Sequence, residues 1–522
     1  MFINAENSSE TSWYADVAIV GAGAAGIALA DALDSAGLRV CLVESGGQQI
    51  STAGQSLNDA GAEGLRTFSA NASRFRCFGG STSRWGGQCR PLDANDFQPG
   101  GQQSDSCWPF DFTEMLPYYR RAAVICNLPA NFDDIQWRTV GGDHGLDTIS
   151  YAFSHPRDFG ENYRVRFQQS KDLRVLLNAT VTRIQLSPAG NAVSYLSART
   201  SSGDEIRVEA NSVVIAGGGI ENARLLLASN DVIKAGIGNE NDLVGRYFND
   251  HPYAFIGELR PFSSGSIVND YTIQDYDDVG INQKMHRALT LDEATLAREN
   301  LNGCALYFVR RPGYKATADY YSTGGISLNY IIDLIRRRES LDRSLVPEII
   351  EIIKGADSIL ATAGRGVQHL FSPSFTFAAR VVLTSEPNAD SRVTLGKKCD
   401  RFGVPLPMIN WQLHESDKRG LRRLLGLAKE YFADNGIGEF VEIPWDEKTG
   451  WPRGMTGGKH HMGTTRMHAN PSLGVVTADS RVHGVDNLYI AGSSVFPTGG
   501  YANPTLTIIA LALRLADHLK ES

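Results

Sequence analysis

The sequence predicts an α/β protein: a discontinuous, Rossmann-like dinucleotide-binding domain with an α+β region inserted into it. Three observations carry that prediction. An apolar strand near the N-terminus, Val17–Val20, runs straight into Gly21-Ala22-Gly23-Ala24-Ala25-Gly26. A second apolar run ends in Ala216-Gly217-Gly218-Gly219, and a third, near the C-terminus, ends in Ala491-Gly492-Ser493-Ser494. Strands that enter small residues, taken from both ends and the middle of the chain, read as one sheet with the rest inserted between them.

Length and composition fit this picture. At 522 residues the chain exceeds one ordinary domain, and its 53 glycines suit many tight turns and close backbone–ligand approaches. A formal charge of −8 argues against nucleic acid or an anionic membrane as partner. The seven cysteines are scattered and contain no C-x-x-C, which points to reduced thiols in a cytoplasmic enzyme and to no metal site. The uncharged run 17–30 follows Glu6, Glu10 and Asp16, with no basic residue before Arg39, so it does not read as an export signal. It is also shorter than the roughly 20 apolar residues a membrane span needs. The tail Thr505–Ala516 is shorter still and carries Arg514, so neither leader nor anchor is expected.

In chain order, residues 1–12 are polar and expected to fray. Val17–Val20 reads as a buried parallel strand, Ala24–Ala36 as a small-residue helix closing near Gly37, and Arg39–Val43 as the next strand, ending in Glu44. In this βαβ context Gly21 permits the tight turn, Gly23 lets backbone approach a pyrophosphate, and Gly26 lets helix and strand pack closely. Glu44 is placed to accept hydrogen bonds from ribose hydroxyls. The motif does not by itself separate FAD from NAD. Residues 46–73 read as irregular, and the glycine-rich stretch Arg76–Leu92, around Trp85, suits a loop laid against a planar ligand. Residues 108–126 read as helical. Strands are expected at Leu173–Leu177 and Thr180–Leu186, then a β-meander over 193–215 and a helix from about Glu221 to Ala228.

From about 255 to 454 tyrosines, phenylalanines and charges replace the glycine-punctuated βα units. Helical patterns lie near 328–340, 346–362 and 415–434, and strand-like runs near 375–384, 392–395 and 407–412. Arg336-Arg337-Arg338 reads as a solvated helix face. After Pro452 the dinucleotide-domain style returns, and Pro504 opens the last helix. The expected domains are therefore 13–100, 160–254 and 455–522 for the cofactor domain, and 101–159 with 255–454 for the substrate-binding cap.

Six motifs in order resemble the glucose–methanol–choline (GMC) oxidoreductases, from about Asp16 to the C-terminus. They are Gly21–Gly26 with Glu44, Gly79-Gly80-Ser81-Thr82 with Trp85-Gly86-Gly87, and Gly217-Gly218-Gly219-Ile220-Glu221. The others are Val244–Pro252, His460-x-x-Gly463-Thr464, and Gly492-Ser493-Ser494 with Asn503-Pro504-Thr505. The resemblance implies FAD, held by Gly21, Gly23, Ala24, Gly26, Glu44, Ser45, Gly80, Ser81, Thr82, Trp85, Gly86, Gly87, Val181, Ala216, Gly217, Gly492, Ser493, Asn503, Pro504 and Thr505. It also implies oxidation of an alcohol to a carbonyl by hydride transfer to flavin N5, with the reduced flavin reoxidised by oxygen or another acceptor. His460 is implied as the base and Asn503 as its partner. Asn503 and the Asn-Pro-Thr-Leu-Thr run resemble pyranose oxidases and bacterial sugar or glycoside oxidoreductases, so a secondary hydroxyl of a sugar or glycoside is the expected substrate. Arg84 stands where some pyranose oxidases carry a flavin-linked histidine, so FAD is expected to be non-covalent.

His460 and His461 are adjacent; the family spacing selects His460, and strand alternation would turn His461 away from the flavin. An imidazole with an ordinary pKa of about 6.5 is a suitable base near neutrality, so the rate should fall as it protonates through that range. Trp85, Trp451, Phe496 and Tyr501 lie in segments near the pocket but read as core. The competing functions are oxidation of a non-sugar alcohol, an NAD-dependent dehydrogenase, and a non-catalytic flavin-binding protein.

Overall fold

The computed structural model describes residues 1–65, 73–97, 106–140, 143–262, 267–273, 284–312, 322–336, 345–371, 375–447 and 449–521. Its first sheet has the strand order Phe2–Asn4, Leu173–Leu177, Val40–Val43, Ser12–Val20, Glu205–Ile215, Val193–Arg199, Thr180–Leu186, and Leu488–Ile490 also pairs with Glu205–Ile215. The central pairs are parallel and share a register. Val20 lies beside Val43 and Ile215, and Ile215 beside Ile490. The strands therefore end together, and Gly21, Glu44, Ala216 and Ala491 leave the sheet along one edge. Ligands bind in such a crevice outside the carboxyl ends of parallel strands.

The helix Ala24–Asp34 is buried over most of its surface, as its run of alanines and leucines requires. It packs against the C-terminal helix Thr505–Glu521, which also contacts the helix Phe112–Ile125. Residues 1–12 are not frayed. Phe2–Asn4 adds a parallel edge strand to Val175–Leu177, the Met1 ammonium donates to the carbonyls of Phe167 and Leu173, and the Phe2 ring meets Phe78 edge-on at 4.9 Å. An open apolar strand edge supplied the partner that local composition did not reveal.

The second sheet runs Gly438–Glu442, Pro252–Pro261, Phe375–Leu383, Cys304–Pro312, Met285–Leu291, Leu146–Phe153, Gln88–Cys89. Its two faces separate by simple alternation. Leu306 and Phe308 pack with Leu421, Leu425 and Phe432 of the helix Glu415–Asp434. Ala305, Tyr307 and Val309 turn the other way, with Tyr151, Phe153, Tyr253 and Tyr501. A small third sheet joins Arg392–Cys399, Pro405–Trp411 and Gly61–Gly64.

Two stretches of the expected cap contribute to the core of the first sheet. Within 101–159, Trp108, Met115, Tyr119 and Phe132 belong to the core of the first sheet, while Leu146–Phe153 belongs to the second sheet. The apolar face of the helix Phe112–Ile125 is satisfied by the C-terminal helix, not by the cap. Val393, Ile409 and Trp411 likewise join the first core. The expected helix over 346–362 is two, Val346–Lys354 and Ala356–Phe371. Arg337 and Arg338 lie outside the described residues. Among the described residues no helix is long and apolar enough to cross a membrane, and no group of histidines, cysteines and carboxylates could hold a metal ion. All seven cysteines are free thiols.

Candidate active site

A cavity of about 1780 Å³ opens at the carboxyl edge of the first sheet and reaches across to the inner face of the second. Ordinary ligand pockets span roughly 300–1,000 Å³, so this one has room for a dinucleotide and a substrate together.

The glycines of the turn divide into two kinds. A Cβ on Gly21 (φ 104°) would lie 2.7 Å from the Ala216 carbonyl oxygen, and one on Gly26 would lie 1.9 Å from that of Gly21. Those two let backbones touch. Gly23, Gly218 and Gly492 have nothing within 4 Å of the Cβ position, and all three line the cavity. Their bare faces leave space that a ligand can fill. Gly23 also caps the helix Ala24–Asp34 with no side-chain acceptor, so its first-turn amides are left for an anion such as a pyrophosphate.

Glu44 sits at the end of its strand with both oxygens engaged. Oε2 accepts from the Ala22 amide at 2.9 Å, and Oε1 from the Gly46 amide at 2.8 Å and the Ser45 hydroxyl at 3.2 Å. Burial raises its carboxyl above the usual range, against those hydrogen bonds and nearby Arg76. From the other side Gly80 (φ 53°) presses on the Gly23 turn, where a Cβ would lie 2.9 Å from Gly23 Cα. Thr82 donates to the Gly79 carbonyl at 2.6 Å, and Trp85 Nε1 donates to the Arg157 carbonyl at 2.9 Å.

Of the residues expected to hold the cofactor, Gly21, Gly23, Ala24, Glu44, Ser45, Gly80, Ser81, Thr82, Trp85, Gly86, Val181, Ala216, Gly217, Gly492, Ser493, Asn503, Pro504 and Thr505 line this cavity. Gly26 and Gly87 do not. Gly26 is spent on helix packing. A Cβ on Gly87 (φ 78°) would lie 2.7 Å from the Arg157 side chain and 3.0 Å from the Ser154 carbonyl oxygen, so its contacts are with a neighbouring loop.

His460 and Asn503 meet on the wall facing the second sheet. His460 Nε2 lies 3.3 Å from Asn503 Nδ2, and His460 Nδ1 lies 2.9 Å from His251 Nδ1. An amide nitrogen only donates. His460 Nε2 is therefore the acceptor, and its ring proton sits on Nδ1, where it donates to His251. The proton of His251 then sits on Nε2, which faces Gly499 and Gly500 without a well-aligned partner. Asp250 holds the loop from beneath, accepting from the amides of Gly458 (3.0 Å), Lys459 (3.2 Å) and His460 (2.8 Å); burial pushes its carboxyl up to about 7.

Burial first, then the charges of His251, His461, Arg380 and Lys459, holds His460 well below the ordinary histidine range. His251 is pushed down to about 4 by burial. Protonation of His460, expected around the ordinary imidazole pKa, accordingly moves to lower pH. The neutral ring is the form that accepts a proton, and it persists on acidification past 6.5.

His461 packs beside His460 in the same loop. It also lines the cavity, its ring 5.8 Å from Phe248 and its carbonyl accepting from Ser493 Oγ at 2.7 Å. Lys459 (φ 67°) and Gly463 (φ 84°) make this a tight loop, in which strand alternation does not operate. Trp451, Phe496 and Tyr501 are buried in hydrophobic clusters, as their composition suggested.

Sequence reasoning missed three contributors. His251 and Asp250 stand in the Val244–Pro252 motif, but nothing in the sequence places them against residues 458–460. Arg380 lies in a row across the second sheet, between Phe255 and Tyr307. Its signal was present: a charge inside the strand Phe375–Leu383, whose other residues are apolar except Thr376.

Comparison with known proteins agrees with this architecture. The family model described as GMC oxidoreductase matches residues 387–512, and one described as lycopene cyclase protein matches residues 16–64, which contain the Gly21–Gly26 turn. The chain is 24% identical over 569 residues to 6'''-hydroxyparomomycin C oxidase of Streptomyces lividus, covering 97% of this chain and 92% of that protein. It is 36% identical over 128 residues to C-glycoside 3-oxidase of Arthrobacter globiformis, covering 23% of this chain and 22% of that one. The fold matches an FAD-dependent oxidoreductase from Chaetomium thermophilum with a TM-score of 0.58 at 16% identity, over 97% of this chain and 99% of that one.

The C-terminal match and these relatives support a place for the chain among the GMC oxidoreductases. The chain is an FAD-dependent oxidoreductase acting on CH–OH donors, and the uncapped helix end, Glu44 and the bare glycine faces fit that cofactor.

Proposed function

We propose that the enzyme oxidises a secondary hydroxyl of a sugar or glycoside to a carbonyl, with His460 as base and Asn503 as the group that orients the hydroxyl. The observation that carries this is the convergence of His460 Nε2 and Asn503 Nδ2, 3.3 Å apart, on the wall of the cavity that contains the FAD cradle. FAD, when bound, supplies the acceptor for the hydride. Everything else falls to the protein. A hydroxyl entering between the two side chains can donate to Nε2 and accept from Nδ2, which fixes its carbinol carbon. As the hydroxyl proton moves to Nε2, the new imidazolium keeps its Nδ1–H on His251, so the positive charge forms with a hydrogen-bond partner already in place. Both relatives described above are named as oxidases, one of 6'''-hydroxyparomomycin C and one of C-glycosides. The aromatic rings of Trp85, Tyr253, Phe255 and Tyr307 on the cavity wall suit the C–H faces of a sugar.

In this reading FAD is held without a covalent bond. Arg84 offers no nucleophile, and burial pushes the nearby Cys77 thiol up to about 11, away from the reactive thiolate. Oxygen or another acceptor would serve for reoxidation, and the free thiols suit a cytoplasmic setting. The test is anaerobic mixing of the yellow enzyme with sugars, glycosides and simple alcohols while flavin absorbance is followed, then admission of air. Bleaching by sugars or glycosides supports the reading. Bleaching confined to simple alcohols replaces the substrate class. No bleaching with any of them, flavin being bound, overturns the reaction.

A further inference from the structure

One buried amide on the cavity wall takes no part in the mechanism above. Gln88 stands on the edge strand Gln88–Cys89 of the second sheet, opposite Phe153, and His286 stands opposite Tyr151. Directly paired residues share a face, as do residues two apart on one strand. Gln88, Phe153, Tyr151 and His286 therefore all stand on the same side of the sheet. That side also carries Tyr253 and Tyr307, which line the cavity with Gln88 and Phe153. Gln88 is only 5% exposed, and an amide buried that far calls for a partner at each end.

Only the nitrogen end has one. Gln88 Nε2 and His286 Nε2 lie 2.6 Å apart, and His286 Nδ1 lies 3.1 Å from the carbonyl oxygen of Arg287. A carbonyl oxygen only accepts, so the ring proton is on Nδ1 and Nε2 is the acceptor. The Gln88 amide must then turn its NH2 to His286 and its oxygen away. Burial pushes His286 down to about 4, so the neutral ring that imposes this orientation persists at neutral pH. The ring is itself held, stacked on Tyr151 with centroids 4.9 Å and planes 5° apart, and 5.2 Å from Tyr307. Gln88 Oε1 has no hydrogen-bond partner among the described residues, yet it is not sealed in the protein; the cavity is the space it faces.

We infer that Gln88 is a specificity-determining residue of the proposed oxidation, its amide oxygen accepting a hydrogen bond from a second, non-reacting hydroxyl of the sugar or glycoside. The inference rests on that oxidation and deepens it. A bare acceptor selects a donor, so it favours a hydroxyl over an ether or carboxylate oxygen at the same place. Its position fits the task. The Tyr151 hydroxyl donates to the Tyr501 carbonyl at 3.5 Å, two residues before Asn503. The ring stacked on His286 thus also touches the segment that carries Asn503, and His286 is a positioning residue that acts through Gln88.

The experiment follows anaerobic flavin reduction by methyl glucoside and its monodeoxy forms, in wild type, Gln88→Met and His286→Phe, with flavin content and spectrum recorded for each. Methionine fills the glutamine volume without an amide. With wild type, one deoxy sugar that is still oxidised should lose about 5- to 10²-fold in kcat/KM, the scale of stranding one buried acceptor. Gln88→Met should lose a similar factor toward methyl glucoside and little more toward that deoxy sugar, while its other ratios stay as in wild type. His286→Phe should shrink the same ratio in part, because the amide is then free to turn. Added to Gln88→Met it should change the ratio no further. That double variant leaves no imidazole nitrogen stranded, and it replaces Gln88→Met should the single variant fold poorly. Flavin content and spectrum should stay those of wild type throughout.

The assignment fails if wild type treats every oxidised deoxy sugar like methyl glucoside, or if Gln88→Met keeps all the wild-type ratios. It also fails if Gln88→Met loosens FAD or shifts the flavin spectrum while every sugar slows alike, since the oxygen would then serve the cofactor. If none of these sugars bleaches the flavin, their oxidation fails, and calorimetry on the FAD-loaded enzyme decides the Gln88 contact by itself. Tighter binding of methyl glucoside to wild type than to Gln88→Met supports the contact, and equal binding overturns it.

Discussion

His251 allows a sharp test, because it acts only through another residue. In His251→Phe the ring is replaced by one of similar shape, and His460 Nδ1–H loses the acceptor it holds at 2.9 Å. Before proton transfer that is a neutral hydrogen bond, worth about 0.5–1.5 kcal/mol net; afterwards it is charge-assisted, worth about 1.5–3 kcal/mol. The difference, about 1–1.5 kcal/mol, is roughly five- to twelvefold in rate. Leaving the buried imidazolium N–H unpaired adds desolvation that can bring the total to about 3 kcal/mol, or roughly 10²-fold. Flavin reduction should therefore slow by about 10- to 10²-fold, mainly in kcat, with flavin content unchanged. His251→Asn, which can place an amide oxygen near the lost acceptor, should recover part of the rate. The assay is anaerobic stopped-flow reduction, with flavin content and melting temperature measured on each variant. A His251→Phe enzyme within twofold of wild type would refute the tautomer argument, and so would an Asn variant no faster than the Phe variant.

Removing the Glu44 carboxylate in Glu44→Ala strands the Ala22 and Gly46 amides as well as any ribose hydroxyl. Each stranded group costs about 1–3 kcal/mol, so FAD should dissociate measurably on dilution; retention equal to wild type would place the adenosine elsewhere. Asn503→Ala removes orientation but not the proton acceptor, so it should slow reduction less than His460→Ala while keeping the yellow colour. Loss of flavin as its main effect would instead make Asn503 a cofactor residue. Acid denaturation followed by filtration should release all the flavin, and colour left on the precipitated polypeptide would show a covalent link.

Much of this was legible in the sequence because the cofactor turn is local. Gly21, Gly23 and Gly26 act within one βαβ unit, and their spacing states the turn, the open face and the packing contact directly. The shared ends of the strands could be read too, since each apolar run stops at small residues. What could not be read was contact across the sequence. Asp250 meets 458–460, and His251 meets His460, because Pro252–Tyr253 pairs antiparallel with Thr456–Gly457, about two hundred residues on. Phe2–Asn4 looked polar and loose until the edge strand that pairs with it was in view. The backbone around His461 was hidden for a different reason: two left-handed residues, Lys459 and Gly463, bend the segment, and only one of them is a glycine that could announce it.

The central claim is that His460 takes the hydroxyl proton as the flavin is reduced. The direct measurement is single-turnover flavin reduction by wild type and His460→Ala, with the fastest sugar or glycoside and across pH. His460→Ala should retain FAD and reduce it about 10²–10⁴-fold more slowly, the usual contribution of a positioned base. Wild type should hold its rate on acidification through pH 6.5, because burial and neighbouring positive charge keep His460 neutral there. A His460→Ala enzyme that keeps its flavin and reduces it at the wild-type rate would contradict the account.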